Sequence, residues 1–184
     1  MRYFLSDTHF GDPRLNLYNR ELIASSPNEI DNLIISNYNK LVNDNDMVYF
    51  LGDIAYNPEK ISLVKNLKGY KILIKGNYDD KIDDNILKTY FNEVYSENLI
   101  IEIGGEKFYL NHYPSKCIDT MANITGHIHS LWKVQRNMIN VGVDAWHMMP
   151  INEEMIMFVY NAIRKYYDEN VFAGELKANL NLKY

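Results

Sequence analysis

Five apolar segments of the β type are each followed directly by a short polar motif, and this order constrains the fold more than any other feature of the chain. Val, Ile, Tyr and Phe are common in these segments, and such residues favour strands. The polar motifs are Ser6-Asp7-Thr8-His9, Gly52-Asp53, Gly76-Asn77-Tyr78-Asp79, Asn111-His112 and Gly126-His127-Ile128-His129. In open α/β sheets, side chains at the carboxyl ends of strands converge on one crevice. The pattern therefore predicts an α/β fold with a single site that gathers all five motifs.

Strand and helix patterns alternate through the first half of the chain. Strands are predicted over 2–6, 46–51 and 70–75. The segment Ser26-Pro27-Asn28-Glu29 has the form of a capping box with Pro at the first helical position. Apolar residues follow it at helical spacing, which predicts a helix over 27–43. A second helix is predicted to begin at Asn57-Pro58 and to end before Gly69, and a third is predicted over 82–91.

The second half of the chain has a different pattern. Two apolar runs flank Gly104-Gly105, a pair that is typical of a two-residue hairpin. Short strands near 122–126, 131–136 and 138–142 precede a final helix that starts near Asn152. No linker, repeat or low-complexity segment is present, so we predict one domain over 1–184. Residues 167–184 carry no motif and are predicted to form an added strand, a packed tail or an oligomer contact.

Charge and cysteine content narrow the function classes. The net charge of −5 argues against binding to long nucleic acid, which usually needs a basic face, but it is compatible with a short nucleotide. The single cysteine, Cys117, excludes an internal disulfide and fits a reducing compartment. Met1 leads directly into a strand, and no apolar run approaches membrane-spanning length. We therefore expect a cytoplasmic protein without a membrane partner.

The polar motifs predict a metal site only when they are taken together. Each alone is more often a turn or a helix cap, because Asp, Asn and Gly are common after strands. However, four of the five histidines of the chain lie in these motifs. Imidazole, carboxylate and Asn carbonyl groups suit divalent Mn, Fe, Zn, Ni or Co. Seven ligands are too many for one tetrahedral structural zinc site, and their number fits two ions that share a carboxylate.

In this order, the motifs resemble those of the calcineurin-like metallophosphoesterase superfamily. The resemblance rests on Asp7-x-His9, Gly52-Asp53, Gly76-Asn77-x-Asp79, His112 and Gly126-His127-x-His129. It covers residues 1 to 150, and the ending Asn140–Asp144 followed by Pro150-Ile151 resembles the small single-domain bacterial and phage members. The resemblance implies a four-layer α/β/β/α sandwich of two mixed sheets.

The resemblance also implies the metal ligands and the reaction. The first ion would be held by Asp7, His9, Asp53 and His129. Asp53 would bridge to the second ion, which Asn77, His112 and His127 would complete. The implied cofactor is a pair of divalent ions, with manganese favoured over iron, zinc, nickel or cobalt. A hydroxide that bridges the ions would attack phosphorus.

The chain departs from the superfamily at one catalytic position. The usual histidine of the third motif, which pairs with the following acid, is replaced by Tyr78 before Asp79. A phenol is a poorer proton donor than an imidazolium near neutral pH, so leaving groups that need protonation should be cleaved poorly. One hypothesis is that His147 takes over part of this role, and the alternative is an ordinary surface histidine. Arg20, or less strongly Arg14, is a candidate for phosphate binding, although most loop arginines are simply solvated.

The leading hypothesis is a metal-dependent phosphoesterase that acts on a small phosphate ester or nucleotide, with diesters favoured over monoesters. Its candidate catalytic residues are Asn77, Tyr78, Asp79, His112 and His147. One alternative is a scaffold or binding module of the same fold that has lost catalysis. Another is a phosphate sensor that binds metal and phosphate without turnover. The complete set of ligands argues against a mere scaffold, because clustered buried charges without metal are unfavourable.

Overall fold

Ten strands and three α-helices are formed by residues 1–166, the part of the chain that the computed structural model describes. The strands are β1 Arg2–Leu5, β2 Met47–Phe50, β3 Tyr70–Ile74, β4 Glu93–Tyr95, β5 Asn98–Ile103, β6 Glu106–Asn111, β7 Ala122–Thr125, β8 Val134–Gln135, β9 Met138–Asn140 and β10 Ile151–Asn152. The α-helices are α1 Pro27–Leu41, α2 Asp84–Tyr90 and α3 Glu153–Tyr166. Short 3-10 helices include Leu15–Tyr18, Arg20–Leu22, Pro58–Asn66, Asp79–Lys81 and Val143–Ala145. The tail predicted over 167–184 lies outside the described residues.

The strands form two five-stranded mixed sheets. The first sheet has the order β10-β1-β2-β3-β4, in which β1 to β4 are parallel and β10 is antiparallel to β1. The second sheet has the order β5-β6-β7-β9-β8, with a parallel centre and antiparallel edge strands. The parallel strands β1, β2 and β3 therefore end at one edge, and β6 and β7 end together in the second sheet.

Two apolar clusters lie on opposite faces of the first sheet. On one face, Phe50 and Leu73 pack with α1, α2 and the 3-10 helix over Pro58–Asn66. On the other face, residues of the first sheet pack against the second sheet and α3. This second cluster includes Phe4, Leu51, Ile74, Phe108, Ile124, Ile139 and Ile156. Burial on both faces explains the nearly continuous apolar runs in the parallel strands. The predicted α/β fold with two mixed sheets and flanking helices is confirmed.

The start of α1 follows the predicted capping pattern with one difference. Ser26 accepts a hydrogen bond from the backbone N–H of Glu29 at 3.3 Å, and Pro27 occupies the first turn. The Glu29 carboxylate accepts from the backbone and the hydroxyl of Ser25, one residue before the expected partner. The cap therefore includes one more residue than the sequence pattern indicates.

Several elements differ from their predicted form. The segment after Asn57 is a 3-10 helix, Pro58–Asn66, and the strand predicted over 131–136 is reduced to Val134–Gln135. The strands β4 and β10 were not predicted, because segments of two or three residues are too short to show a periodic pattern. The hairpin is confirmed, and Gly104 and Gly105 have φ values of 59° and 83°. Positive φ at both central residues is what a type I′ turn requires.

The final helix begins at Glu153, within the predicted start near Asn152-Glu153-Glu154. In α3, Ile156 is fully buried and Tyr160 packs edge-to-face on Phe108, with ring centroids 5.1 Å apart. Gly104 of the hairpin lies against the side chain of Met157. Among residues 1–166, neither α3 nor any other helix has the length and apolar composition needed to cross a bilayer.

Leu73 provides a test of this packing. It is completely buried in β3, so Leu73→Ala should lower the free energy of unfolding by about 2–5 kcal/mol, through lost burial and the cavity that remains. The measurement is urea unfolding of both proteins. Leu22→Ala is the matched control, because this side chain is 81% exposed and its truncation should change stability by less than about 0.5 kcal/mol. Equal effects of the two substitutions would contradict the described core.

Candidate metal centre

All seven predicted ligand residues follow strand ends. Asp7 and His9 follow β1, Asp53 follows β2, Asn77 follows β3, His112 follows β6, and His127 and His129 follow β7. Six of them form two groups, Asp7 with His9 and His129, and Asp53 with His112 and His127. Within each group the ligand atoms lie within 4.8 Å of one another. The structure therefore brings the motifs of both sheets together, with each group combining residues from the two sheets.

Asp53 connects the two groups. Its Oδ2 atom is 3.5 Å from Nε2 of His9, which belongs to the first group, and 3.5 Å from Nε2 of His112, which belongs to the second. Its Oδ1 atom accepts a hydrogen bond from the backbone N–H of Tyr78 at 2.9 Å. One carboxylate thus lies between two imidazoles with an oxygen directed towards both. This is the arrangement that a carboxylate shared by two cations requires.

Several buried ligand atoms make no hydrogen bond within the described residues. They are Nδ1 and Nε2 of His9 and Oδ1 of Asn77. Asn77 lies between Gly76 and Tyr78, both of which contact Asp53. Burying a polar atom without a partner costs about 1–3 kcal/mol, and such atoms are rare in folded proteins. Imidazole nitrogen and amide oxygen are also ligands for divalent ions, so these unpaired atoms fit a metal site.

The backbone is strained at the ligand positions. Asp7, His9, Asp53, His127 and His129 have φ values of 58°, 45°, 57°, 74° and 52°. This left-handed region costs about 1–2 kcal/mol for a residue with a Cβ atom. Such strain concentrates at functional sites, where the surrounding structure imposes it. Positive φ at five of the seven predicted ligands therefore indicates a functional site at these positions.

Glycines at two strand ends allow the ligands to approach closely. A Cβ atom on Gly76 would collide with Oδ1 and the backbone N of Asp53 and would lie 2.9 Å from Cε1 of His112. Gly52 has a φ of 85°, and a Cβ atom there would lie 2.7 Å from Nδ1 of His112. The glycines of the second and third motifs therefore leave the space in which Asp53 and His112 meet.

Burial and nearby charges act in opposite directions on two of the imidazoles. Burial lowers the pKa of His9 to about 4, although Asp7 and Asp53 oppose this effect, so the ring is neutral at pH 7. Burial also lowers the pKa of His112, but the hydrogen bond to Asp53 and the charges of Asp7 and Asp53 outweigh it and raise the pKa to about 9. A bound cation would take the position of that proton, because metal ligands bind in the deprotonated form.

Asp79 holds the backbone of the second and third motifs. Its Oδ2 atom accepts from the backbone N–H groups of Asp53 and Gly76 at 2.7 and 2.9 Å, and Oδ1 accepts from Ile54 at 3.1 Å. Complete burial raises the pKa of its carboxyl to about 6, although these hydrogen bonds oppose the rise. The structure therefore gives Asp79, predicted as a catalytic residue, the geometry of a group that positions Asp53.

Arg20 is buried behind the ligands. Its guanidinium donates to both carboxylate oxygens of Asp144 at 2.7 and 3.0 Å and to the backbone carbonyls of Asp7 and Thr8. The side chain is 1% exposed, and the Asp144 carboxylate engages the planar fork of its guanidinium. The phosphate-binding role of Arg20 therefore stays a prediction that this contact does not support.

Asp144 also orients a ligand, and the sequence analysis did not identify this role. Its Oδ2 atom is 2.6 Å from Nδ1 of His129. Burial raises the pKa of Asp144, but the hydrogen bonds from His129 and Arg20 outweigh it and lower the pKa below its ordinary value. A carboxylate on one ring nitrogen fixes the other nitrogen for metal binding. The only pattern that pointed to this residue was its position in the segment Asn140–Asp144.

Tyr78 and Arg14 lie together beside the first ligand group. Nη2 of Arg14 donates to the Tyr78 hydroxyl at 2.8 Å, and the guanidinium also forms an ion pair with Asp12. The Tyr78 ring packs edge-on against His9, with centroids 4.7 Å apart. Tyr78 is thus adjacent to a predicted metal ligand and is fixed by an arginine.

His147 is exposed, which agrees with the alternative of an ordinary surface histidine. Its side chain makes no hydrogen bond, ion pair or ring contact with other residues of the 1–166 segment, and it belongs to neither ligand group. Tyr18, by contrast, stacks on His129 with centroids 3.8 Å apart and an interplanar angle of 11°. No sequence motif marks Tyr18, because a stacking contact between distant loops depends on the tertiary fold.

The contact between Asp144 and His129 can be tested by metal titration. Asp144→Asn should weaken binding of Mn²⁺ at the first ligand group by about 10–100-fold, because residues that orient metal-bound histidines typically contribute this much. Isothermal titration calorimetry measures the change. Asp80→Asn is the control, since the Asp80 side chain is 62% exposed and pairs with Lys75. Equal affinities of the Asp144 variant and the parent protein would exclude the orienting role.

Comparison with known proteins assigns the chain to a family. No family model matches it. It is 31% identical over 170 residues to the uncharacterized protein MJ1445 of Methanocaldococcus jannaschii, an alignment that covers 84% of this chain and 88% of that protein. Among solved structures, the protein of unknown function AQ665 from Aquifex aeolicus is 30% identical, with a TM-score of 0.72. The alignment covers 86% of this chain and 98% of the AQ665 chain. The nuclease MPE of Pseudomonas putida is more distant, with 20% identity and a TM-score of 0.49. That alignment covers 70% of this chain and 61% of the MPE chain. The chain therefore belongs to the same family as MJ1445.

Proposed function

We propose that this chain is a calcineurin-like metallophosphoesterase that uses two divalent metal ions to hydrolyse small phosphodiesters. The observation that carries the proposal is the position of Asp53, with one oxygen 3.5 Å from His9 and 3.5 Å from His112. The unpaired atoms of His9 and Asn77 and the strained backbone of the ligands support it.

The two ligand groups define how the ions would be held. The first ion would bind Asp7, His9, Asp53 and His129, and the second would bind Asp53, Asn77, His112 and His127. This assignment follows the two Asp and His groups, with Asn77 joining the group next to it in space. When bound, the ions would polarise the phosphoryl oxygens and lower the pKa of water towards neutrality. Manganese is the favoured ion, and oxygen and nitrogen ligands of this kind also accept iron, zinc, nickel or cobalt.

Tyr78 and Arg14 are proposed to act on the leaving group. In hydrolysis, a water oxygen bonds to phosphorus, the ester P–O bond breaks, and the leaving oxygen takes a proton. Arg14 donates to the Tyr78 hydroxyl oxygen, which leaves the hydroxyl hydrogen free to point elsewhere. The ring of Tyr78 packs edge-on against His9, so Tyr78 borders the first ligand group. A phenol held in this way can hydrogen-bond a leaving oxygen, although it is a weaker acid than an imidazolium.

The charges around the ligands favour a diester over a monoester. Asp12 already pairs with Arg14, and Asp144 already pairs with Arg20. Neither arginine of the loop after the first motif therefore presents an uncompensated positive charge to the site. A phosphodiester carries one negative charge and a monoester close to two, so the diester needs less compensation beyond the metal ions.

A second candidate function is a metal-binding scaffold without catalysis. The observation that favours it is Tyr78, which lacks the acidity of the usual third-motif histidine. The strained φ values of five ligand residues and the unpaired atoms of His9 and Asn77 fit a metal site in either case and do not distinguish the two functions. The position of Asp53 between His9 and His112 favours the enzyme, because a pair of ions serves in-line phosphoryl displacement. We therefore rank the enzyme first.

Asp53→Ala tests the proposed activity. The parent protein should hydrolyse bis-p-nitrophenyl phosphate in the presence of Mn²⁺, and the variant should lose at least about 100-fold in rate, since even residues that only orient metal ligands contribute 10–100-fold. Release of p-nitrophenolate is measured together with the metal content of each protein. Asp80→Ala, an exposed acid outside the ligand groups, should retain the parent rate. Absence of turnover in the parent with Mn²⁺ bound would favour the scaffold.

Two substitutions at Tyr78 test its proposed role. Tyr78→His should raise the rate on a dinucleotide, whose leaving group is an alkoxide, by about tenfold or more relative to the rate on the aryl diester, because a positioned acid contributes about 10²–10⁴-fold. Tyr78→Phe should lower the dinucleotide rate more than the aryl rate. Steady-state kinetics on both substrates give the ratios. Equal changes on both substrates would mean that Tyr78 does not act on the leaving oxygen.

A further inference from the structure

An open cleft borders the metal ligands on one side. It has a volume of 430 Å³, and His127 and His129 form part of its lining. The opposite walls carry Leu17 and Leu131, which are 60% and 80% exposed. A cleft of this size lies within the range of small-molecule sites. The cleft thus combines two large exposed apolar side chains with two of the predicted ligands.

Both walls of the cleft are held in place by contacts outside it. The segment with Leu17 and Tyr18 lies between Arg14, which is bound to Asp12, and Arg20, which is bound to Asp144. The segment from His127 to Leu131 contains a turn closed by a hydrogen bond from Leu131 to Ile128, and Asn140 donates to the His129 carbonyl at 2.7 Å. The apolar walls are therefore preformed, which reduces the entropy lost when a ligand binds.

The lining of the cleft is apolar or neutral apart from the two histidines. Besides Leu17, Leu131 and Ile128, it contains Tyr18, Asn19 and Ser130, and it includes no Asp, Glu, Lys or Arg. A charged group would lose hydration here without gaining a partner. An uncharged aromatic group would contact Leu17, Leu131 and the Tyr18 ring, and Asn19 and Ser130 offer hydrogen bonds to a polar edge.

We infer that this cleft binds the uncharged aromatic group of a phosphate ester, either an aryl group on the ester oxygen or a nucleobase attached through its sugar. The inference rests on the proposed function, because the phosphate would bind at the metal ligands that border the cleft. Continuity between the cleft and the ligands through His127 and His129 supports it. The chain would then prefer aromatic phosphate esters to small alkyl esters.

Binding of two phosphonates to the Mn²⁺-loaded protein tests this inference. Phenylphosphonate and methylphosphonate carry the same anionic group, so the ratio of their affinities reports only the environment of the organic group. Isothermal titration calorimetry should give about tenfold tighter binding of phenylphosphonate, through burial of its apolar ring. Leu131→Ser should reduce that ratio at least threefold. Leu22→Ser is a matched control, because Leu22 is 81% exposed and does not line the cleft.

The outcomes separate the cleft from the metal centre. Equal affinities of the two phosphonates in the parent protein, or an equal loss in the Leu131 and Leu22 variants, would overturn the inference and leave the proposed function intact. Failure of both phosphonates to bind would also overturn the inference, and turnover of bis-p-nitrophenyl phosphate by the same Mn²⁺-loaded protein reports separately on the proposed function. A second pair of ligands, thymidine 5′-phosphate and deoxyribose 5-phosphate, identifies the occupant. If their affinity ratio exceeds that of phenylphosphonate to methylphosphonate, the occupant is a nucleobase. If it is smaller, the occupant is a simple aryl group.

Discussion

The position of the Asp53 carboxylate is the constraint on which the rest of the site depends. One of its oxygens faces His9 and His112, which come from different sheets, and the other accepts from Tyr78. The backbone of Asp53 donates to Asp79, and its carbonyl accepts from His9. Any displacement of β2 relative to β3 or β6 would therefore alter several ligand contacts at once. The buried packing of both sheets keeps this geometry within a narrow range.

The site concentrates features that are unfavourable for folding. Asp7, Asp53 and Asp79 are buried near one another, and the charge of Asp53 helps to raise the pKa of Asp79. Positive φ values add backbone strain at the ligand residues. Two groups behind the ligands compensate for part of this: Arg20 binds the Asp7 and Thr8 carbonyls, and Asp144 binds Arg20 and His129. A hydrogen-bonded layer of charged and backbone groups thus supports the ligands and limits their movement.

The sequence predicted the main strands and the grouping of the motifs, but it did not predict individual side-chain contacts or the shortest strands. Apolar runs followed by polar motifs located β1, β2, β3, β6 and β7, and the structure brings the residues after them together. The sequence did not predict that Arg20 turns inward, because the direction of this long side chain depends on Asp144, which is 124 residues away along the chain. The stacking of Tyr18 on His129 depends in the same way on tertiary contacts. Short strands such as β10 form because a neighbouring strand is present, and their own sequence carries little pattern.

The ligand groups and the apolar cleft beside them differ in chemical character. On one side, the predicted ligands with positive φ place carboxylates and imidazoles close together. Substitution of these residues would remove a ligand. The side chains of Leu17 and Leu131 are exposed and are not predicted ligands, so these two residues can change without removing a ligand. Under the proposed function, Tyr78 would favour the same substrates as the apolar cleft, because a weak acid suits leaving groups such as phenolates, which depart without protonation. If the cleft binds aromatic esters, Tyr78 and the apolar lining of the cleft are two adaptations to one class of substrate.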